Sequence, residues 1–219
     1  MFCKRLYPSF YSYSRLTLKN AKSSLNKISR SLEEIQVNRE FLLKNTREII
    51  ILCSRSIISV HKGDYKTGEK NLAQADVLLT KYRKKATSDL KRYLITAEQE
   101  YVEAVCLLAV VKGIQIPSHE KLKVMQESYV LGLLDCVGEL KRMILDKIRI
   151  GDIDKAIKVF DVMENLYLYL YPFSMYDKVV KEVRRKIDVN RILVEDVRGA
   201  ITEEKRRSEL IKELSKLKK

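Results

Sequence analysis

The chain has 219 residues, of which 43 are Lys or Arg and 29 are Asp or Glu, and its formal net charge is +14. This length suits one domain with a sizeable core, and the charge favours an anionic partner such as nucleic acid, an acidic protein or an anionic membrane surface. Only seven glycines and three prolines occur, which favours long helices and argues against a fold of short strands and tight turns.

The sequence shows no sign of export or membrane insertion. Its first residues include basic side chains but no continuous apolar core of the kind that a secretory signal needs. The longest apolar runs are about ten residues, roughly half of what a membrane helix requires. Cys53, Cys106 and Cys136 lie in apolar surroundings without zinc-ligand spacing, which fits reduced thiols. We therefore expect a cytoplasmic protein that does not bind membranes.

The first predicted element is a long helix. Residues 1–16 are aperiodic and rich in tyrosine and serine, and we interpret them as a loose N-terminal arm. A heptad pattern of apolar residues then runs from Leu18 to Val60, and Gly63 follows as a stop, which predicts a helix of roughly 40 residues or more. Because such a helix is too long to be buried in this domain, part of it should pack against a partner chain or a neighbouring helix.

Six further helices follow in the sequence. Their predicted bounds are about 64–87, 88–112, 119–150, 152–171, 174–199 and 202–217. Ser118 is a suitable N-cap, and Pro172 and Gly199 are expected to end helices. The predicted fold class is therefore all-α, a single domain over residues 1–219 that forms a seven-helix bundle with a long N-terminal helix.

Four acidic residues lie inside two otherwise apolar helices. Glu100 and Glu103 are one turn apart in EYVEAVCLLAVV, and Asp135 and Glu139 are spaced i, i+4 in YVLGLLDCVGEL. A helix that is apolar on all sides is a buried helix, and burying an ionised carboxylate without a partner costs several kcal/mol. Three states satisfy this constraint: protonation, an ion pair with a cation from a distant helix, or a bound metal ion.

A hard cation suits this set of oxygen ligands if the two helix faces meet. Hard cations such as Mg²⁺ or Mn²⁺ prefer this ligand set. A di-iron bundle would need Glu-x-x-His pairs, and the two histidines, His61 and His119, lie outside such motifs; we interpret His61 as a capping or surface residue. Gly132 and Gly138 lie beside the acids, where small residues allow a second backbone or a ligand to come close.

A basic segment precedes the first pair of acids. KYRKKATSDLKR (81–92) carries one acid and six cationic residues, namely Lys81, Arg83, Lys84, Lys85, Lys91 and Arg92. Tyr82 and Tyr93 are interleaved and offer rings on which bases can stack. We interpret these six cationic residues as a candidate nucleic-acid-binding surface, and a solvated corner between helices is the alternative interpretation.

These motifs resemble those of the translin family. The segments EYVEA, YVLGLLDCVGELKR, IISVHKGD and RRKIDVNRILVEDVRG occur in the family's order and extend over most of the chain. The sequence is most similar to the branch of translin-associated factor X, of a prokaryotic or archaeal type, which carries E-(F/Y)-V-E and Asp-x-x-Gly-Glu motifs. The resemblance implies that Glu100, Glu103, Asp135 and Glu139 bind Mg²⁺ and are catalytic in RNA cleavage.

The resemblance also implies an assembly and an activity. Family members form closed, hollow oligomers, commonly octamers, so a translin-like homo-oligomer is expected. The expected function is a Mg²⁺-dependent endoribonuclease that hydrolyses phosphodiester bonds of single-stranded RNA, with single-stranded DNA as a further ligand. One alternative is a non-catalytic single-stranded DNA- or RNA-binding oligomer of the translin type, and another is a structural coiled-coil protein without a nucleic-acid partner.

Overall fold

The computed structural model describes residues 8–216, with side chains from Leu18 onward. Within that span the protein contains helices and no strand, which confirms the predicted all-α class. The helices are α1 (Pro8–His61), α2 (Tyr65–Arg83), α3 (Ile95–Lys112), α4 (His119–Leu122), α5 (Gln126–Arg149), α6 (Ile153–Leu170) and α7 (Val183–Lys216). Two 3₁₀ segments, Ser88–Leu94 and Tyr171–Tyr176, precede α3 and follow α6.

Helix α1 has two parts with different surroundings. Residues 18–36 are exposed, including the apolar seam positions Leu18, Leu25 and Leu32. From Leu42 onward the inward-facing residues are buried against α2 and α3. The predicted arm at 1–16 is helical from Pro8 onward, and its first seven residues lie outside the described part of the chain.

Several predicted helix boundaries differ from the observed ones; the helix predicted to begin at 174, for example, begins at Val183. The segment before Ile95 is a 3₁₀ turn, so α3 is shorter than the predicted 88–112. The predicted helix 119–150 is interrupted because Lys123 adopts a left-handed conformation (φ 56°) that ends α4 after one turn. The last two predicted helices form one helix, α7, since Gly199 in its interior weakens the helix by about 1 kcal/mol without ending it.

The core is centred on α3, which packs against α1, α2 and α5, while α5 also packs against α6 and α7. Helices α3 and α5 approach closely at Gly132. A Cβ atom at this glycine would lie 2.5 Å from the carbonyl oxygen of Gln99 and 2.7 Å from Cβ of Val102, so any larger residue would force the helices apart. The expected close approach is therefore confirmed at Gly132, whereas Gly138 has open space around it.

Candidate active site

All four predicted acids line one open cleft between α3 and α5. Glu100 and Glu103 reach it from α3, and Asp135 and Glu139 reach it from α5. The cleft has a volume of about 560 Å³, and the end of α1 closes one side with Ser54, Ile57 and Ile58. The short α3–α5 separation at Gly132 holds the two acidic helix faces together. The convergence of the four carboxylates is thus present in the structure.

Mutual repulsion and burial make protons or other cations favourable in this cleft. Burial, together with the charges of Glu100, Asp135 and Glu139, raises the pKa of Glu103 from 4.5 to about 8. The pKa of Glu100 is also raised, first by burial and then by Asp135. At neutral pH the ionised form of Glu103 is therefore disfavoured, because burial and the neighbouring carboxylates both favour its protonated form.

Asp135 is held by two neighbours from different helices. Lys186 on α7 contacts its Oδ1, and the side-chain amide of Gln99 on α3 donates to its Oδ2. Both carboxylate oxygens therefore have a donor. Of the three states that the sequence leaves open, an ion pair with a distant helix is thus observed at this acid.

Glu139 has its own partners at the other end of the cleft. Nε2 of His61, at the end of α1, lies 2.5 Å from its Oε2, and Nη1 of Arg142 lies 3.8 Å from the same oxygen. The side chain of His61 is 6% exposed, so the interpretation of His61 as a capping or surface residue is wrong. Arg142 is mostly exposed at the rim, where its guanidinium can reach a ligand.

The site's donor set suits a divalent cation, although its side chains are not arranged around one. Among residues 8–216, no group of three or more His, Cys, Asp or Glu side chains has an arrangement that could hold a metal ion. In the structure, Asp135 directs a carboxylate oxygen toward Lys186, and Glu139 directs one toward His61. Carboxylate oxygens are the ligands that a hard cation prefers, so the chemistry of the donor set fits such an ion.

A second buried acid, Glu98, lies near the start of α3, and both of its carboxylate oxygens accept hydrogen bonds from the protein. Its Oε1 accepts a hydrogen bond from Nε of Arg83 at 3.1 Å, and its Oε2 accepts from the backbone amide of Met125 at 2.9 Å. Arg83 also donates to the carbonyl oxygen of Leu122 at 3.2 Å. Arg83, a predicted nucleic-acid-binding residue, therefore joins α2, α3 and the α4–α5 connection.

The other basic residues of the 81–92 segment divide into two groups. Lys81, Lys84 and Lys91 are exposed to solvent and can bind phosphate groups. Lys85 is partly buried and lies over the ring of Phe41 at 4.9 Å, whereas Arg92 is exposed but lies over the ring of Tyr93 at 5.1 Å.

The two tyrosines of this segment are engaged to different extents. Tyr82 is buried and packs edge-on against Phe41, so it cannot stack on a base. Tyr93 is partly exposed, and hydrogen bonds from Arg92 and Arg39 lower the pKa of its hydroxyl. Of the two predicted stacking residues, Tyr82 is excluded by its burial, and Tyr93 already has the guanidinium groups of Arg39 and Arg92 over its ring.

The sequence model of a family described as the Translin family matches residues 13–200 of this chain. The chain belongs to the translin family. An uncharacterized protein of Methanocaldococcus jannaschii is 35% identical over 184 residues, which cover 83% of this chain and 82% of that protein.

Solved structures with the same fold carry the name C3PO. The crystal structure of AfC3PO is 32% identical, with a TM-score of 0.77 over 84% of this chain and 98% of that one. The structure of an AfC3PO–duplex RNA complex is 31% identical, with a TM-score of 0.76 over 84% and 97%. Apo-NeC3PO, at 23% identity and a TM-score of 0.72 over 82% and 96%, supports the fold alone.

Three residues whose side chains contact the predicted acids were not predicted as part of the site: Gln99, His61 and Lys186. Gln99 directly precedes the EYVEA motif, while His61 lies within IISVHKGD and Lys186 within RRKIDVNRILVEDVRG. Both of these longer segments carry the family resemblance, so this signal was present in the sequence. Their proximity to the acids depends on the packing of α1 and α7, which local spacing does not specify.

No helix within the described residues is long and apolar enough to cross a membrane.

Proposed function

We propose that this translin-family protein is a divalent-cation-dependent endoribonuclease acting on single-stranded RNA, with Mg²⁺ as the natural ion and Mn²⁺ as a substitute. The observation that carries the proposal is the meeting of four carboxylates in one open cleft, where burial, and then the charges of the other three acids, raise the pKa of Glu103 to about 8. A cluster of this kind favours the binding of positive charge, and it opens to a volume that a nucleic-acid strand can enter.

Each cleft residue has a role in this proposal. Glu100, Glu103, Asp135 and Glu139 hold the cation, which, when bound, neutralises charge on the phosphate and makes water more acidic. Gln99 orients Asp135, and His61 orients Glu139 through contacts that fix the carboxylate planes. Arg142, exposed at the rim, is placed to bind a phosphate of the strand.

Two observations support RNA as the substrate: a similar solved structure and the positive charge of the surface. The related AfC3PO structure is described as a complex with duplex RNA. In the present chain, the exposed Lys81, Lys84 and Lys91 can bind the backbone without reading sequence. We expect single-stranded RNA to be cut faster than duplex RNA. Because the related complex contains a duplex, the cleavage of both kinds of RNA should be measured side by side.

The central test is cleavage of labelled RNA by Glu103→Gln and Asp135→Asn variants. We expect each substitution to lower Mg²⁺-stimulated cleavage at least about 100-fold, because each removes a charged ligand. Glu195→Gln is the matched control, since Glu195 is an exposed acid on α7 outside the cleft. If both cleft variants cut at the wild-type rate, the site assignment is wrong.

A homo-oligomer, with an octamer as the expected form, is part of the same proposal. The seam residues Leu18, Leu25, Ile28, Leu32 and Ile35 on α1 are between 43% and 64% exposed in the single chain. A repeating apolar seam on a projecting helix is stabilised by packing against another chain. The mass in solution, measured by light scattering, tests this; a monomer at micromolar concentration would contradict it.

A second candidate function is non-catalytic binding of single-stranded DNA or RNA. It is supported by the ion pair of Asp135 with Lys186, which satisfies one acid without a metal, and by the exposed lysines of the 81–92 segment. The two candidates differ in their response to EDTA: binding that persists in EDTA, without any Mg²⁺-dependent cleavage, would favour the second.

A further inference from the structure

Lys186 is the cation that the fold inserts among the acids. It lies on α7, enters the cleft that α3 and α5 form, and contacts Oδ1 of Asp135. Its side chain is only 19% exposed. Placing an ammonium group at this depth is costly unless an anion compensates it, so the contact with Asp135 and the presence of Lys186 in the cleft depend on each other.

The charge of Lys186 also acts on Glu100 and Glu103. It opposes the effects that raise the pKa values of Glu100 and Glu103, and thus favours the ionised form of both acids. One ammonium group thereby offsets part of the repulsion within the whole cluster. A bound divalent cation would perform the same electrostatic role more strongly, because it carries twice the charge.

Lys186 and a metal ion would compete for the same carboxylate. Oδ2 of Asp135 accepts from Gln99, and Oδ1 contacts the ammonium of Lys186. Each oxygen keeps a further lone pair that a cation could use, but an ammonium group in contact with the carboxylate would repel that cation at short distance. Lysine is suited to leave, since its charge is carried on a flexible four-carbon chain.

We propose, on the basis of the proposed metal-dependent function, that Lys186 is an exchangeable counter-ion whose contact with Asp135 must be displaced when a divalent cation binds. Lys186 therefore weakens the affinity of the site for metal. The displaced ammonium remains near the cleft that Arg142 also lines, where a substrate phosphate is a suitable new partner.

The first test measures Mn²⁺ binding by calorimetry for wild type, Lys186→Met, Lys186→Arg and Lys205→Met. We expect Lys186→Met to bind Mn²⁺ about tenfold more tightly, because the competing cation is gone. Lys186→Arg keeps a competing cation and should remain close to wild type. Lys205 lies on the same helix, is exposed and has no ion pair within the described residues, so Lys205→Met controls for the loss of one surface charge.

The second test uses the wild-type protein and does not depend on a variant that folds. The protein is treated with a limiting amount of an amine-reactive acetylating reagent, once in EDTA and once in saturating Mn²⁺. Mass spectrometry then measures the extent of acetylation of Lys186. We expect Mn²⁺ to increase the acetylation of Lys186 several-fold, since a side chain released from Asp135 is free to reach the reagent. The modification of Lys205 should not change.

The outcomes separate this inference from the proposed function. If wild type binds Mn²⁺ while Lys186→Met binds it equally or more weakly, and the acetylation of Lys186 does not rise, the exchange is wrong and the metal site stands. If neither wild type nor Lys186→Met binds Mn²⁺, both the metal-dependent function and the exchange are overturned. Tighter binding by Lys186→Met with metal-enhanced acetylation of wild type supports both.

Discussion

Two buried glutamates on α3, Glu98 and Glu103, have opposite surroundings. Glu98 is 2% exposed, and each of its oxygens has a donor, from Arg83 and from the amide of Met125. Glu103 is 9% exposed and faces three further carboxylates, and its pKa rises to about 8. The comparison shows that burial alone does not distinguish a structural acid from a candidate functional one; the partners of the carboxylate do.

The largest expected effect is the response of Glu103→Gln to pH. The folded-state pKa of Glu103, about 8, lies above its ordinary value of 4.5. The folded protein therefore holds this proton more tightly than the unfolded chain, and wild-type stability falls as pH rises from 4.5 through 8. In EDTA at pH 9, we expect Glu103→Gln to be more stable than wild type by about 3–5 kcal/mol, and at pH 4.5 by almost nothing.

Urea unfolding of both proteins across this pH range measures the difference. Saturating Mg²⁺ should reduce it, because a bound cation removes the repulsion that disfavours ionised Glu103 in wild type. A stability difference that does not depend on pH would show that Glu103 is not held in a repulsive cluster.

Glu98→Leu tests the other side of the comparison. We expect it to lower the free energy of unfolding by about 3 kcal/mol, because it leaves Arg83 and the amide of Met125 without their acceptor. Urea unfolding at pH 7 measures this effect, and Mg²⁺ should not alter it. The double variant Glu98→Leu/Arg83→Met should recover part of the loss, since the unpaired guanidinium is removed. If Glu98→Leu left the free energy of unfolding unchanged, the contacts of Glu98 with Arg83 and Met125 would not stabilise the fold.

The sequence predicted the acidic residues of the cleft better than it predicted the side chains that contact them. Spacing placed Glu100 with Glu103 and Asp135 with Glu139, because helical periodicity is local. The apolar runs correctly indicated that Glu103 is buried, whereas Glu100, Asp135 and Glu139 are only partly buried. Lys186 could not be assigned in this way, since its contact with Asp135 depends on how α7 packs on α5. Glu98 was missed because it lies at the edge of the apolar run, where its burial depends on the α4–α5 connection.

The same limit explains the errors in the fold. The class, the long first helix and the ends of α1 and α5 at Gly63 and Gly151 follow from composition, heptad spacing and glycine positions. Gly199 was expected to end a helix but lies inside α7. A glycine inside a helix weakens it without necessarily ending it, and α7 also packs against α5 and α6.

The smallest expected effect concerns the glycine that sets the helix separation beside the acids. Gly132→Ala would place a Cβ atom 2.5 Å from the Gln99 carbonyl oxygen, and we expect a loss of about 1–3 kcal/mol in unfolding free energy. Gly199→Ala is the matched control: it has nothing within 4 Å of the added atom and should gain up to about 1 kcal/mol from improved helix propensity.

Gly132→Ala should also change the acid cleft itself. Because the added methyl group pushes α3 away from α5, the carboxylates of Glu103 and Asp135 should separate, and their repulsion should weaken. The fall in stability between pH 4.5 and about 8 should then be shallower than in wild type, whereas Gly199→Ala should keep the wild-type slope. An unchanged slope in a destabilised Gly132→Ala protein would mean that burial of Glu103, rather than the proximity of the two acidic helices, accounts for its raised pKa.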